Sequence, residues 1–267
     1  MIYLFFYILW SYIIFKKNRK GSFLRSLPRD IKKLNLGSSH GVFSFDHTGK
    51  NEFNGAQDSQ TFYYDLKVLK KIYSNIQEGA TVLLPVSYFS FSSNELWSSR
   101  DLIKYLKTFS LGDFKGKIKL EYIFYNFFPL FYSLKKKLNK KKIRVKKTRE
   151  QRIEGHVKLF RDKKYLKHNE SLLSEIIYLL QKKDCKIFLI TTPFYREYNN
   201  FFSKDELLVF FTYLNNFATK HNATYLNYSD NKYIANNRDL FNDFDHLNLE
   251  GRKKFLEILS GDFKAKL

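Results

Sequence analysis

The sequence predicts an α/β domain, a three-layer α/β/α sandwich built on a mostly parallel sheet and carrying a helical insertion. Three observations predict it. From residue 30 onward, short apolar runs alternate with stretches of helical periodicity. Each apolar run ends in polar or proline punctuation, as buried strands do when they exit into loops. One long stretch, about residues 96 to 165, breaks the rhythm and reads as an insert.

The elements follow in order. "MIYLFFYILWSYIIF" comes first and passes at once into "KKNRKG". Its roughly 15 apolar residues fall short of the ~20 that span a bilayer, although aromatic rings extend the reach into the interface. No basic region precedes the run and no small-residue cleavage site follows it, which argues against a removable signal. Residues 1–20 are therefore expected to be a retained, membrane-associated segment. The basic cluster behind it places the main domain, residues 21–267, on the cytoplasmic face.

"KLNLG" is the first strand and a helix is expected over about 59–76. "ATVLLPVSYFSF" (80–91) is a strand running into a loop, and after the insert a second helix covers about 169–183. "CKIFLITTP" (185–193), a helix over about 204–221, "ATYLNYS" (223–229) and a last helix after Asn248 complete the pattern. Sites in such sheets form at the carboxyl ends of the strands, where each of these polar tails falls.

Composition narrows the function. With 267 residues and 44% hydrophobic content, the chain can bury a sizeable core. One cysteine, Cys185, excludes an internal disulfide framework and a thiolate zinc cluster, and its apolar run predicts a buried, inert thiol. The net charge of +21 suggests nucleic acid or an anionic membrane. Richness in Lys, Asn, Ile, Phe and Tyr is what AT-rich coding produces, and no helix-turn-helix, zinc-finger spacing or aromatic RNA-binding motif is present. A nucleic-acid partner is thus the weaker expectation. In the insert, "LEYIFYNFFPLFYSLKKKLNKKKIRVKKTREQR" joins aromatics to a basic run. It reads as a helical subdomain with a solvated basic face or as an interfacial segment on anionic lipid.

Chemistry concentrates at the two ends. "KLNLGSSHGVFSFD" (33–46) sets Ser38, Ser39 and His40 in the open just after a glycine. "FNDFDHLNLEGRKKF" (241–255) carries His246 with Asp243 three residues before it. Within one loop that spacing lets a carboxylate reach the imidazole Nδ1–H, fix its tautomer and support the imidazolium that a serine base becomes. Asn248 is a good helix N-cap, which puts both residues on the loop entering the last helix. Asp245 is the second candidate for the carboxylate. His40 reads as a turn histidine or a pocket wall, and Thr192 and Tyr195 as a strand exit that could shape a pocket.

Taken together, "GSSH", "NGAQDSQ" and "DFDHLNLEG" resemble the blocks of the SGNH/GDSL hydrolase superfamily, a flavodoxin-like fold. The resemblance, which spans about residues 30–260, implies Ser39 as nucleophile, Asp243 and His246 as its partners, and Leu247, Asn248 and Gly251 as the rest of the last block. It implies an oxyanion hole from the Ser39 and Gly55 N–H groups plus a third-block asparagine. Here "VLLPVSYFSF" lacks that block, so Ser87 falls nearest, with Asn54 and Asn94 as other candidates and Ser38 supporting the turn. Serine in place of the first-block aspartate is similar to the branch that contains DltD-like and surface-polysaccharide-cluster proteins. The implied activity is ester hydrolysis or O-acyl transfer on an acylated carbohydrate or other acyl donor, through an acyl-serine and with no metal or cofactor. A membrane-associated assembly factor that keeps the fold without efficient catalysis is the alternative.

Overall fold

A computed structural model of the chain describes residues 2–93, 101–139 and 148–266. The chain runs α1 (Ile2–Lys20), β1 (Ile31–Asn35), α2 (Ser39–Ser44), β2 (Glu52–Asn54), α3 (Phe62–Ile72) and β3 (Ile76–Pro85). It continues through α4 (Leu102–Thr108), α5 (Gly116–Phe127), α6 (Pro129–Asn139), α7 (Arg149–Arg161) and α8 (Leu166–Gln181). Last come β4 (Lys186–Thr191), α9 (Arg196–Asn199), α10 (Lys204–Lys220), β5 (Thr224–Asn227), α11 (Lys232–Ala235) and α12 (Leu249–Lys266).

These elements form two compact units, residues 1–26 with 98–147, and residues 27–97 with 148–267. The larger unit holds a five-stranded, all-parallel sheet in the order β2-β1-β3-β4-β5. That order reverses direction of travel between β1 and β3, and in doubly wound sheets the carboxyl ends of the strands at such a switch point are the usual ligand position. The four longer strands were all legible in the sequence. β2 was not, since three residues of mixed polarity carry no periodicity.

Helices cover both faces for ordinary reasons of spacing. Leu173, Ile176, Ile177 and Leu180 place a buried stripe along α8 at helical intervals. α10 begins at a capping box in which Ser203 Oγ accepts the Glu206 N–H at 3.1 Å and the Glu206 carboxylate accepts the Ser203 N–H at 3.0 Å. On the other face, Phe188, Ile190 and Leu226 of the sheet pack with Phe255 and Leu259 of α12 in one buried cluster. Cys185 is half-buried, and burial pushes its thiol up to about 11, which keeps it unreactive at neutral pH.

The smaller unit is helical: α1, α4, α5 and α6. The insertion is narrower than the sequence suggested, because α7 belongs to the sheet unit and α1 groups with the insert. Within this unit, Arg19 of α1 donates to the carbonyls of Lys107, Thr108 and Phe109 at 3.3, 3.1 and 2.7 Å, capping the last turn of α4 with a cation. Tyr7 and Ser11 donate to the Phe127 carbonyl at 2.9 and 3.1 Å, and Phe15 stacks on Phe127. Among the described residues no helix is long and apolar enough to cross a membrane.

Candidate active site

The site grows from the end of β1. Gly37 carries φ +106°, a region open to glycine at little cost. A Cβ there would also crowd Pro85 at 3.1 Å. This turn lifts Ser39 to the first position of α2, with Ser38 as the N-cap. The Ser39 N–H is then one of the donors that a helix cannot satisfy for itself.

The second half is the loop that leads into α12. Asn248 Oδ1 accepts the Gly251 N–H at 3.0 Å and so caps the helix, while Asn248 Nδ2 donates to the Asp239 carbonyl at 2.6 Å. Gly251 is required by proximity, since a Cβ would lie 2.1 Å from the Leu240 carbonyl oxygen. Leu247 is buried, and Asn242 bonds the His246 carbonyl through its N–H at 2.9 Å and the Leu247 carbonyl through Nδ2 at 3.0 Å. Each residue of "DFDHLNLEG" that the motif shares thus holds the loop or acts within it.

The two halves meet across 207 residues of chain: Ser39 Oγ lies 2.8 Å from His246 Nε2. His246 Nδ1 lies 3.0 Å from each oxygen of Asp243, whose Oδ1 also accepts the His246 and Asp245 N–H groups at 2.9 and 3.1 Å. Asp245 Oδ1 stands farther from Nδ1, at 3.7 Å, so Asp243 is the orienting carboxylate. Ser39, Asp243 and His246 are therefore in hydrogen-bonded sequence at the carboxyl edge of the sheet.

A second layer surrounds them. Arg152, in the first turn of α7, donates to Asp243 at 2.9 Å and pairs through its other amino group with the buried Asp245. His40 is buried and stacks on His246 with ring centroids 5.2 Å apart, and its Nδ1 lies 3.5 Å from Thr192 Oγ1. Phe43 of α2 packs on His246 at 4.9 Å. Phe89 rests 4.3 Å from the ring of His156, whose Nδ1 is 3.1 Å from Tyr198 Oη. Tyr195 stays at the strand exit, where its N–H donates to the Phe244 carbonyl at 2.9 Å.

The charges follow from these contacts. Burial opposes ionisation of Asp243, but hydrogen bonds and charge from His246 and Arg152 outweigh it and hold the carboxyl well below its usual range. Burial pushes Asp245 up to about 6 despite His246 and Arg152. Burial also works against protonation of His246, yet the bond to Asp243 and the charges of Asp245 and Asp243 raise it above 6.5. Burial, with His246 and His156 nearby, drives His40 well below that value and keeps it neutral. His40, Asp245 and His246 offer ligand-type atoms within 4.8 Å of one another. A cation there would meet the Arg152 guanidinium, which already pairs with Asp245, so the donor set suits proton transfer better than metal binding.

The remaining sequence candidates are placed differently from a ready oxyanion hole. The Gly55 N–H donates to the Asn35 carbonyl at 2.7 Å, at the edge of the sheet, so it is already spent. Ser87 is buried with its hydroxyl 3.1 Å from Ser90 Oγ. Asn54 Oδ1 accepts from Asn35 Nδ2 at 2.8 Å and from the Ala56 N–H at 3.0 Å. Asn94 lies outside the described residues. Among the described candidates, the Ser39 N–H belongs to the serine that bonds His246 and stands at the first position of α2.

Sequence reasoning missed Arg152, His156 and Asp65. The signal for the first two was present: "TREQ" is a capping box in which Thr148 Oγ1 accepts the Gln151 N–H at 3.2 Å. It starts a new helix, and Arg152 and His156 are one turn apart on it. Asp65 gave no signal, because an acid in the first turn of a helix is commonplace. No protein-family model matches this chain, and no curated protein matches it significantly.

Proposed function

We propose that the sheet unit is an SGNH-type serine esterase or O-acyltransferase. The observation that carries this reading is the continuous relay Ser39–His246–Asp243, with bonds of 2.8 and 3.0 Å, at the carboxyl edge of a doubly wound sheet. His246 Nε2 takes the Ser39 hydroxyl proton as Oγ attacks an acyl carbonyl, while Asp243 stabilises the imidazolium. The imidazolium then gives its proton to the departing alcohol, leaving an acyl-serine. Water or an acceptor hydroxyl, deprotonated by the same histidine, takes the acyl group and restores Ser39. The substrate is an acylated carbohydrate or another acyl donor, as the resemblance to surface-polysaccharide proteins implies.

One observation favours a second reading, a catalytically weak assembly factor with this fold. The N–H of Gly55 and the hydroxyl of Ser87 are engaged elsewhere, and loss of one oxyanion donor typically costs about 10²–10³ in rate. Turnover of p-nitrophenyl acetate by wild type and Ser39→Ala separates the two. The enzyme reading expects turnover that the substitution abolishes; a folded wild type with none supports the assembly factor.

A further inference from the structure

The charge of this protein is not spread evenly along it. The helical unit, residues 1–26 and 98–147, holds 20 Lys and Arg against three Asp and Glu, a net +17 of the chain's +21. AT-rich coding would not confine the excess to one unit. The same unit leaves large apolar side chains in water. Ile2, Phe6 and Ile13 of α1 are 71, 61 and 55% exposed, and Leu120, Leu130 and Phe131 of α5 and α6 are 56, 56 and 62% exposed.

Ring and hydrogen-bond contacts join α1 to α5 and α6. α1 turns Tyr7, Ser11 and Phe15, one turn apart, toward the end of α5, where they meet Phe127 and Phe128. Aromatic contacts then run from Trp10 through Tyr7 to Phe128, and from Phe128 to Phe124 and Phe131. Exposed Lys16, Lys17 and Lys20 finish α1, and exposed Lys115, Lys117 and Lys119 lie at the start of α5. Large apolar side chains left exposed on three packed helices, with exposed lysines beside them, are the signature of an interfacial membrane site.

We propose that this helical unit docks into one leaflet of an anionic lipid bilayer through a face built jointly by α1, α5 and α6. The apolar part of α1, residues 2–15, is about 21 Å long at ~1.5 Å per residue, short of the ~30 Å hydrocarbon core. With its Tyr7 stripe occupied by α5, it embeds as one wall of a helical platform and not as an isolated span. Lysines at the margin meet lipid phosphates and carboxylates. Aliphatic residues such as Ile13 and Leu130 gain nothing from a nucleic-acid backbone, which favours lipid as the source of the negative charge. The inference rests on this unit alone and does not depend on the acyl chemistry.

The test is co-sedimentation of the full chain with vesicles of phosphatidylcholine alone or with about a third phosphatidylserine. The expected result is binding to the anionic vesicles, weakened by salt at about 0.5 M, and release from the membranes of the expressing cells by alkaline carbonate. Ile13→Asp with Phe131→Asp, both at exposed positions, should lower partitioning at least about tenfold at unchanged helical circular dichroism. Lys16→Gln, Lys17→Gln and Lys20→Gln together should lower the preference for phosphatidylserine while leaving the apolar face intact. The proposal is overturned if both variants bind like wild type or if the protein resists carbonate extraction as a spanning helix does. It is equally overturned if the apolar variant only converts a dimer to a monomer, or if duplex DNA binds in place of vesicles.

Discussion

The carboxylate of Asp65 accepts the backbone N–H of Gly37 at 2.6 Å, two residues before Ser39. The same oxygen accepts Gln60 Nε2 at 2.7 Å, and Gln60 also donates to the Gly55 carbonyl at 3.0 Å. One buried acid in α3 thereby ties the serine turn to the loop after β2. The cost is desolvation: burial pushes Asp65 up to about 7, against 3.8 in an open chain, although both hydrogen bonds favour the ion.

That shift sets a pH dependence. Between about pH 4 and pH 7 the folded chain holds a proton on Asp65 that the unfolded chain has lost, so Asp65 lowers stability progressively as pH rises through this window. Asp65→Asn keeps an acceptor for Gly37 and cannot ionise. Its melting temperature should exceed that of wild type at pH 8, by an amount on the order of a few kcal/mol in stability. The gain should shrink as pH falls to 5. A difference that is constant with pH would show that Asp65 does not titrate in this range.

The carboxylate that bonds His246 and its neighbour should respond differently to amidation. Asp243→Asn removes the group that fixes the His246 tautomer, and ester turnover should fall by about 10⁴. Asp245→Asn instead removes a charge that raises the His246 pKa. The acid limb of kcat/KM, which lies above 6.5 in wild type because the base must be neutral, should move to lower pH. Paired pH–rate profiles check both, and an Asp245→Asn limb that moves upward would contradict this assignment of charge.

Gly251 joins stability to activity. An alanine Cβ would sit 2.1 Å from the Leu240 carbonyl, which forces the start of α12 away from the loop that carries His246. Gly251→Ala should lose ~1–3 kcal/mol of stability in urea titration and lose turnover with it. Unchanged stability would mean that the helix start relaxes freely.

What the sequence disclosed was local. The Gly37 turn, the Asp243–His246 spacing and the Asn248 cap are each set by residues within a few positions of one another, so their chemistry could be read directly. The strands β1, β3, β4 and β5 announced themselves as apolar runs, whereas the three residues of β2 are too few and too mixed in polarity to show a period. Arg152 reaches Asp243 across 91 residues and His40 stacks on His246 across the whole domain, relations that no short pattern encodes. Gly55 shows the converse: its position matched a motif, while its N–H was committed to Asn35 by sheet geometry. The basic insert was legible in part, but its partnership with α1 depends on the packing of Tyr7, Ser11 and Phe15 on Phe127 and Phe128.

The most direct measurement is labelling of the wild-type protein with a fluorophosphonate, followed by peptide mapping of the adduct. A serine activated by His246 at 2.8 Å should form a covalent phosphonyl ester at Ser39. Ser38→Ala should retain the adduct, and Ser39→Ala or His246→Ala should lose it. An adduct mapped to Ser38 or Ser87, or a folded wild-type protein that never labels, would contradict the account.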